Sequence, residues 1–245
     1  MRLRFRFRTI PFLATLILVL LGIALGNWQT RRAAEKTVLQ ARLEQGMAAA
    51  PLTLDGSPVD PARIEFHSVL VKGEFVPNWP LFLDNRPQAG RTGFILLMPF
   101  KIAGSNKAVL VARGWLPRNM AEHDRLPPYT TPAGPVRIEG RAVRQLARVM
   151  QLGTPAPLQP EAIVQNTGPG EVARASGLDL LPVVVEQTGP ATPGEGLLRD
   201  WPAPSTDIAR HKGYAVQWYA LAAMAFLFFV ITGFRSGRSK TKQSG

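Results

Sequence analysis

Two uncharged apolar runs, one near each end of the chain, restrict what this sequence can become more than any other feature. The first, Thr9 to Asn27, reads TIPFLATLILVLLGIALGN; the second, Gly213 to Phe234, reads GYAVQWYALAAMAFLFFVITGF. With a helical rise of about 1.5 Å per residue, each is long enough for the ~30 Å hydrocarbon layer of a bilayer. Both carry basic clusters on their outer ends: Arg2, Arg4, Arg6 and Arg8 before the first, Arg235, Arg238, Lys240 and Lys242 after the second. Lys and Arg beside spanning helices stay on the cytoplasmic face. Both termini are therefore expected in the cytoplasm, with residues 28–212 as one exported loop. The same eight residues carry most of the net charge of +12. The surplus thus belongs to membrane flanks and not to a nucleic-acid groove, so lipid and not nucleic acid is the expected contact.

A cleaved signal peptide is the alternative for the first run, because a basic start, an apolar stretch and the small residues Ala24 and Gly26 imitate one. Two features weigh against it. The run exceeds the roughly 7–15 residues of a signal h-region, and the helix-prone segment TRRAAEKTVLQARLEQ follows without a break.

The expected organisation is a basic tail (1–8), a transmembrane helix (9–27), a helical stalk (28–50), a β-rich domain (51–212), a second transmembrane helix (213–234) and a basic tail (235–245). Strands are read at 66–75, 79–85, 93–100, 107–115, 135–143 and 182–187, where short alternating or apolar runs are bounded by Gly, Pro and Asn. A short helix is read at 170–176. No helix between the strands is long enough for a parallel crossover. The fold class is thus a membrane protein in which two transmembrane α-helices flank an exported, mainly antiparallel β domain, either a sandwich or a small barrel.

The chemistry available is narrow. With no cysteine and three histidines, a metal has to be held by His, Met or oxygen donors. No phosphate-binding, dinucleotide-binding, metalloprotease or nucleophile-elbow motif is present, and no carboxylate pair stands out, so an enzyme is not expected. His67, at a strand start, and His123, between Glu122 and Asp124, read as structural or solvated. His211 differs in its address, two residues before the second apolar run. In a helix starting near Ile208, His211, Tyr214, Ala215 and Trp218 share one face. That stripe offers an axial ligand for haem iron beside a flat apolar wall, with Asp207 placed to accept the ring's other N–H. The competing reading makes Tyr214 and Trp218 members of the interfacial aromatic belt, with Trp28 at the exit of the first run, and His211 a polar helix start. Arg31 and Arg32 serve either as juxtamembrane charges or as forks for acidic groups such as haem propionates. The second role requires the two apolar helices to pack side by side, for which Gly22, Gly26, Ala222, Ala223 and Ala225 supply small surfaces. Arg113-Gly114-Trp115 and Asp84-Asn85-Arg86 read as a strand-end irregularity and a turn that shape a face for the helices or a partner.

Four segments carry a resemblance. LGNWQTRRAAEK (25–36), VKGEFVPNWPLFLDNRPQAGRTGFILLMPF (71–100), VLVARGWLPRN (109–119) and HKGYAVQWYALA (211–222) resemble, in order, motifs of the Surfeit-locus (Shy-type) family of cytochrome c oxidase assembly proteins. The matched residues include Gly26, Trp28, Gln29 and Arg32 in the first segment and His211, Tyr214 and Trp218 in the last. Tyr219 stands where many members have Phe, Glu35 where an aromatic is common, and Arg210 where an Asn is common. The resemblance implies a multi-pass protein of the cell inner membrane with a periplasmic domain, acting in terminal oxidase assembly. It further implies that haem a is bound transiently, with the family histidine on His211, the tyrosine on Tyr214 and the tryptophan on Trp218; Trp28, Arg31 and Arg32 complete the expected site, with His211 as the axial ligand of the iron. Delivery would be toward the oxidase catalytic subunit, with the haem a synthesising enzyme as a candidate donor. A scaffold that holds an oxidase intermediate without touching haem is the alternative, and a membrane enzyme with a site in the β domain is a third reading. The resemblance transfers no catalytic residue.

Overall fold

A computed structural model describes residues 5–119, 121–122, 125–151, 153, 157–191, 194–201 and 207–238. His123 and the outermost basic residues at both termini lie outside the described residues. The chain forms two compact units, residues 1–41 with 204–245 and residues 42–203.

The first unit is a pair of helices. α1 (Thr9–Ala48) continues past the first apolar run to the region of Gly46 and Pro51, and its last turns belong to the second unit. α4 (Ile208–Arg238) begins five residues before the second apolar run. Both are long and apolar enough to cross a membrane. Their less exposed residues recur every three or four positions, at 15, 19, 22, 26, 29 and 33 on α1 and at 211, 215, 218, 222, 225, 229 and 233 on α4. Such spacing makes a coiled-coil-like seam. Small residues at the seam let the backbones approach: a Cβ on Gly22 would stand 2.9 Å from the Cβ of Ala222, and one on Gly26 would enter the Tyr219 ring. Contacts of 22 with 222 and of 29 with 211 make the pair antiparallel. The outward faces are apolar and bare, with Ile10, Ile17, Val216 and Phe228 among the most exposed side chains. At the lower end Phe5, Phe12, Phe229 and Phe234 form a ring cluster, and Arg6 N–H donates to the Gly233 carbonyl at 3.1 Å.

The second unit is a five-stranded barrel. Its elements are β1 (Leu52–Leu54), α2 (Pro61–Ile64), β2 (Ser68–Phe75), β3 (Leu81–Leu83), β4 (Gly93–Ile102), β5 (Ala108–Pro117), β6 (Val136–Val143), β7 (Ile163–Val164), α3 (Pro169–Ser176) and β8 (Leu180–Gln187). The ring runs β2-β6-β8-β5-β4 and closes where β4 meets β2. Closure spans three residue pairs, Gly73–Ile102, Glu74–Lys101 and Phe75–Phe100. Gly73 permits it, because a Cβ there would lie 1.9 Å from the Lys101 carbonyl oxygen. Away from the closure β2 and β4 diverge, and β1 and β3 occupy the edges they leave.

Of the two expected β architectures the structure adopts the barrel, and it corrects the sheet in one respect. Four ring pairings are antiparallel, but β5 and β8 run parallel, as do β1 with β2 and β3 with β7. The parallel pair needs no long crossover helix because the chain travels from β5 to β8 through β6, β7 and α3. This ring order is the connectivity of an OB-type Greek-key barrel. Strands β1 and β7 and helix α2 were not expected, and the strand read at 79–85 shrinks to Leu81–Leu83 between Pro80 and the turn at Asn85, whose φ is 58°. The barrel interior is filled by Val69, Val71, Met98, Phe100, Val111, Ile138, Val183 and Val185, and a second cluster gathers Phe82, Phe94, Leu96, Leu116 and Leu197.

Candidate functional site

In the helix pair, polar groups meet at two levels of an otherwise apolar seam. His211 lies in the first turns of α4, and its ring turns toward α1, where Nδ1 is 2.7 Å from Oε1 of Gln29. An amide oxygen only accepts, so Nδ1 carries the proton in this arrangement, and in the neutral ring the lone pair then lies on Nε2. That is the imidazole form that binds metal, oriented by a hydrogen bond on its far nitrogen. Two turns further along α4, Tyr219 donates from its hydroxyl to Asn27 Oδ1 at 2.7 Å and lies 3.5 Å from Thr30 Oγ1. Thr30 in turn donates to the Gly26 carbonyl at 2.9 Å.

The ring's partner differs from the expected one. Asp207 does not meet the imidazole: its carboxylate is 3.4 Å from Arg210, and its carbonyl accepts from the His211 backbone N–H at 3.2 Å. A side chain four residues back on the same helix cannot compete with one that faces the ring across the seam. Gln29 stands in a quoted motif and at a seam position, 22, 26, 29, 33, where a polar residue is out of pattern; that was the available signal.

The other candidate residues are distributed as follows. Ala215 and Trp218 continue the seam below His211, Ala215 buried and Trp218 half-buried. Tyr214 is 47% exposed and Trp28 44%, so both sit on outward flanks of their helices. Arg32 lies over the Trp28 ring, 5.9 Å from its centroid, and pairs with Glu35 at 2.9 Å. Arg31 is exposed. The helices do pack side by side at the level of residues 29 and 211, the arrangement that any shared role of these arginines with His211 requires. The set fits a flat, acidic porphyrin in its chemistry: one neutral imidazole nitrogen, aromatic surface, and guanidinium groups one turn away on the facing helix.

The barrel holds a second polar constellation. A β-bulge on β5, facing the Leu96–Leu97 step of β4, leaves Arg113 without a partner residue. Arg113 is 0% exposed. Its guanidinium donates to Thr131 Oγ1 at 2.7 Å, the Thr130 carbonyl at 2.9 Å and Glu195 Oε1 at 2.6 Å, and stacks 4.4 Å from the Phe75 centroid. Burial pulls its pKa down and the Glu195 carboxylate opposes that. Arg199 clamps Glu195 from the other side at 2.6 Å and donates to the carbonyls of Arg113, Gly189 and Pro190. Trp115 donates its indole N–H to the Arg86 carbonyl at 2.7 Å, and Arg118 pairs with Asp84 at 3.3 Å. Both motifs are therefore internal braces. His67 Nδ1 is 3.4 Å from the Glu65 carbonyl. Among the described residues, no group of three or more His, Cys, Asp or Glu could hold a metal ion.

Comparison with known proteins adds an independent line. A family model described as the SURF1 family matches residues 16–223. The SURF1-like protein of Monosiga brevicollis is 26% identical over 91% of this chain and 88% of its own length. Surfeit locus protein 1 of Homo sapiens is 26% identical over 87% of this chain and 75% of its own length. Over a shorter stretch, 40% of this chain and 25% of the other, the Cytochrome oxidase assembly protein SHY1 of Saccharomyces cerevisiae is 32% identical.

Proposed function

This chain belongs to the SURF1 family, and on that premise we propose that it is a membrane-anchored cytochrome oxidase assembly factor that binds haem a at His211 and assists its delivery to the catalytic subunit. The yeast relative's name as an oxidase assembly protein supports the assembly role. The observation that carries the haem reading is the 2.7 Å contact between His211 Nδ1 and Gln29 Oε1, which in the neutral ring puts the lone pair on Nε2. In this reading α1 and α4 both cross the inner membrane, their exposed apolar faces meet lipid, both termini are cytoplasmic and the barrel is periplasmic.

When bound, the haem would supply an iron centre able to take the His211 nitrogen as a ligand. The chain's own residues supply the rest. Gln29 holds the imidazole in the ligand tautomer, Trp218 and Tyr214 give aromatic surface beside it, and Arg31 and Arg32 present forks to carboxylates. Arg32 is already paired with an exposed Glu35, so exchanging that partner for a propionate costs little. Trp28 lies under the same guanidinium. Transient holding follows from a site that offers one imidazole ligand at the helix seam, with Tyr214 and Trp28 on outward flanks.

The test is an absorption spectrum of the full chain purified from cells that make haem a, beside His211→Ala. A Soret band lost in the variant supports the proposal. Co-purification with oxidase subunits without any Soret band, unchanged by the substitution, leaves the scaffold reading in its place.

A further inference from the structure

On the barrel, remote in sequence from His211, four arginines line one pocket of about 200 Å³: Arg86, Arg144, Arg148 and Arg174. The rest of the wall is Gln145, Leu146 and residues 166–171, which lead into α3. This concentration does not follow from composition. Residues 42–203 contain sixteen Lys and Arg against fifteen Asp and Glu, so the unit is close to neutral, and a quarter of its basic residues face this one hollow.

Arg86 is the base of the pocket. It is 7% exposed, and its two terminal nitrogens donate to the carbonyls of Ala147 and Gln165. Its Nε has no hydrogen-bond partner, and no carboxylate lies within ion-pair distance among the described residues. A buried guanidinium held only by carbonyls, with Asp84 acting on it at longer range, retains uncompensated positive charge. Arg144, Arg148 and Arg174 stand exposed at the rim. Arg144 pairs with Glu65 at 2.8 Å, and Glu171 is the single acid in the lining. Four guanidinium groups against Glu65 and Glu171 leave two positive charges.

The start of α3 adds to them. α3 starts at Pro169 behind Gly168, whose lack of a side chain leaves the first turn without a capping hydrogen bond, and a Cβ at Gly168 would meet nothing within 4 Å. Pro169 has no N–H and the Glu171 N–H donates to the Gly168 carbonyl at 3.1 Å, so the first turn offers the Gly170 N–H at the positive end of the helix dipole, a position that favours anions. The Thr167 hydroxyl, just before Gly168, is without a partner.

We propose that this hollow is a binding site for a phosphate group, held by Arg86, Arg148 and Arg174 together with the first turn of α3. Arg forks match phosphate oxygens in pairs, and the two residual charges match a dianion. The phosphate can be a free anion or a lipid headgroup, and the experiment separates these sources.

The full chain in nanodiscs of neutral lipid is titrated with inorganic phosphate, and thermal stability is followed at constant ionic strength. Stabilisation should saturate with phosphate, and Arg148→Gln/Arg174→Gln should weaken the apparent affinity about tenfold or more, the loss of two charge-assisted contacts at an exposed rim. Arg63→Gln, an exposed arginine outside the pocket, should change nothing. A second series uses nanodiscs doped with phosphatidic acid. If the doped discs stabilise the protein and the pocket variant abolishes that gain, while inorganic phosphate acts weakly, the phosphate is a headgroup. Stabilisation insensitive to the pocket variant, or none in either series, overturns the proposal.

Discussion

His211 on α4 and Gln29 on α1, 182 residues apart in the chain, share one hydrogen bond of 2.7 Å across the helix seam. The bond sets which imidazole nitrogen is free. Gln29→Leu removes the acceptor and should lower haem a affinity about 10–100-fold, the usual effect of losing the group that orients a ligating histidine. Gln29→Glu keeps an acceptor and should retain most of the affinity. Haem titration of the purified variants followed by the Soret band measures both; equal affinity in wild type and Gln29→Leu would sink this role.

Close packing around Gly26 makes a second prediction. A Cβ at Gly26 would lie 2.5 Å from the Tyr219 ring, so Gly26→Ala has to displace the ring and break its bond to Asn27. The helix pair should lose about 1–3 kcal/mol. In a Tyr219→Ala background the three atoms nearest that Cβ are gone, and the same change should cost much less. A double-mutant cycle on helix-pair dissociation in detergent reads the coupling directly.

Arg113 is fully buried and partnered with Glu195, and Glu195 is shared with Arg199. Arg113→Met should destabilise the barrel by about 3 kcal/mol, because the hydroxyl, carbonyl and carboxylate it serves lose their donor inside the protein. Arg113→Lys should recover little of this, since one ammonium cannot reproduce a planar fork aimed at three acceptors. Chemical denaturation followed by tryptophan fluorescence, with Trp115 inside the barrel, gives the ranking.

Glu186 of β8 carries a pH dependence. Its carboxylate accepts from Arg141 at 2.6 and 2.9 Å, yet burial outweighs the guanidinium and pushes its pKa above the ordinary 4.5. The folded protein therefore holds this proton more tightly than the unfolded chain does. Stability from this group is fully present below the unfolded pKa and is lost as pH rises through the raised, folded value. Glu186→Gln should remove that decline. Stabilities from denaturation at a series of pH values should run parallel for wild type and variant below the unfolded pKa and above the raised one, and differ in slope only between the two.

The two long helices were legible because a run of nineteen or more uncharged residues has few other uses; of the small residues that could serve their packing, Gly22, Gly26, Ala222 and Ala225 stand on the seam and Ala223 is exposed. Most ring strands were legible from alternation and turn residues. Closure of the barrel was not, because it depends on Gly73 meeting the Lys101 carbonyl, a three-residue contact with no pattern of its own. The parallel β5–β8 pair was misread for a related reason: the connection uses two strands and a helix in place of one crossover. Of the candidate site, the address of His211 was readable and its partner was not. Asp207 is the nearer residue in sequence, whereas Gln29 is nearer in space only after two distant helices align. Glu195 was equally hidden, in a Pro- and Gly-rich segment 82 residues from the arginine it neutralises.

Barrel closure also limits how other proteins can recognise this domain. A ring that consumes its own backbone donors leaves strand donation from a visitor only the outer sides of β1 and β7, three and two residues long among the described residues. Edges so short give few main-chain bonds to an added strand. An incoming polypeptide must be read through side-chain chemistry on loops and rims, which makes recognition sensitive to single substitutions there and resistant to indiscriminate edge-to-edge association.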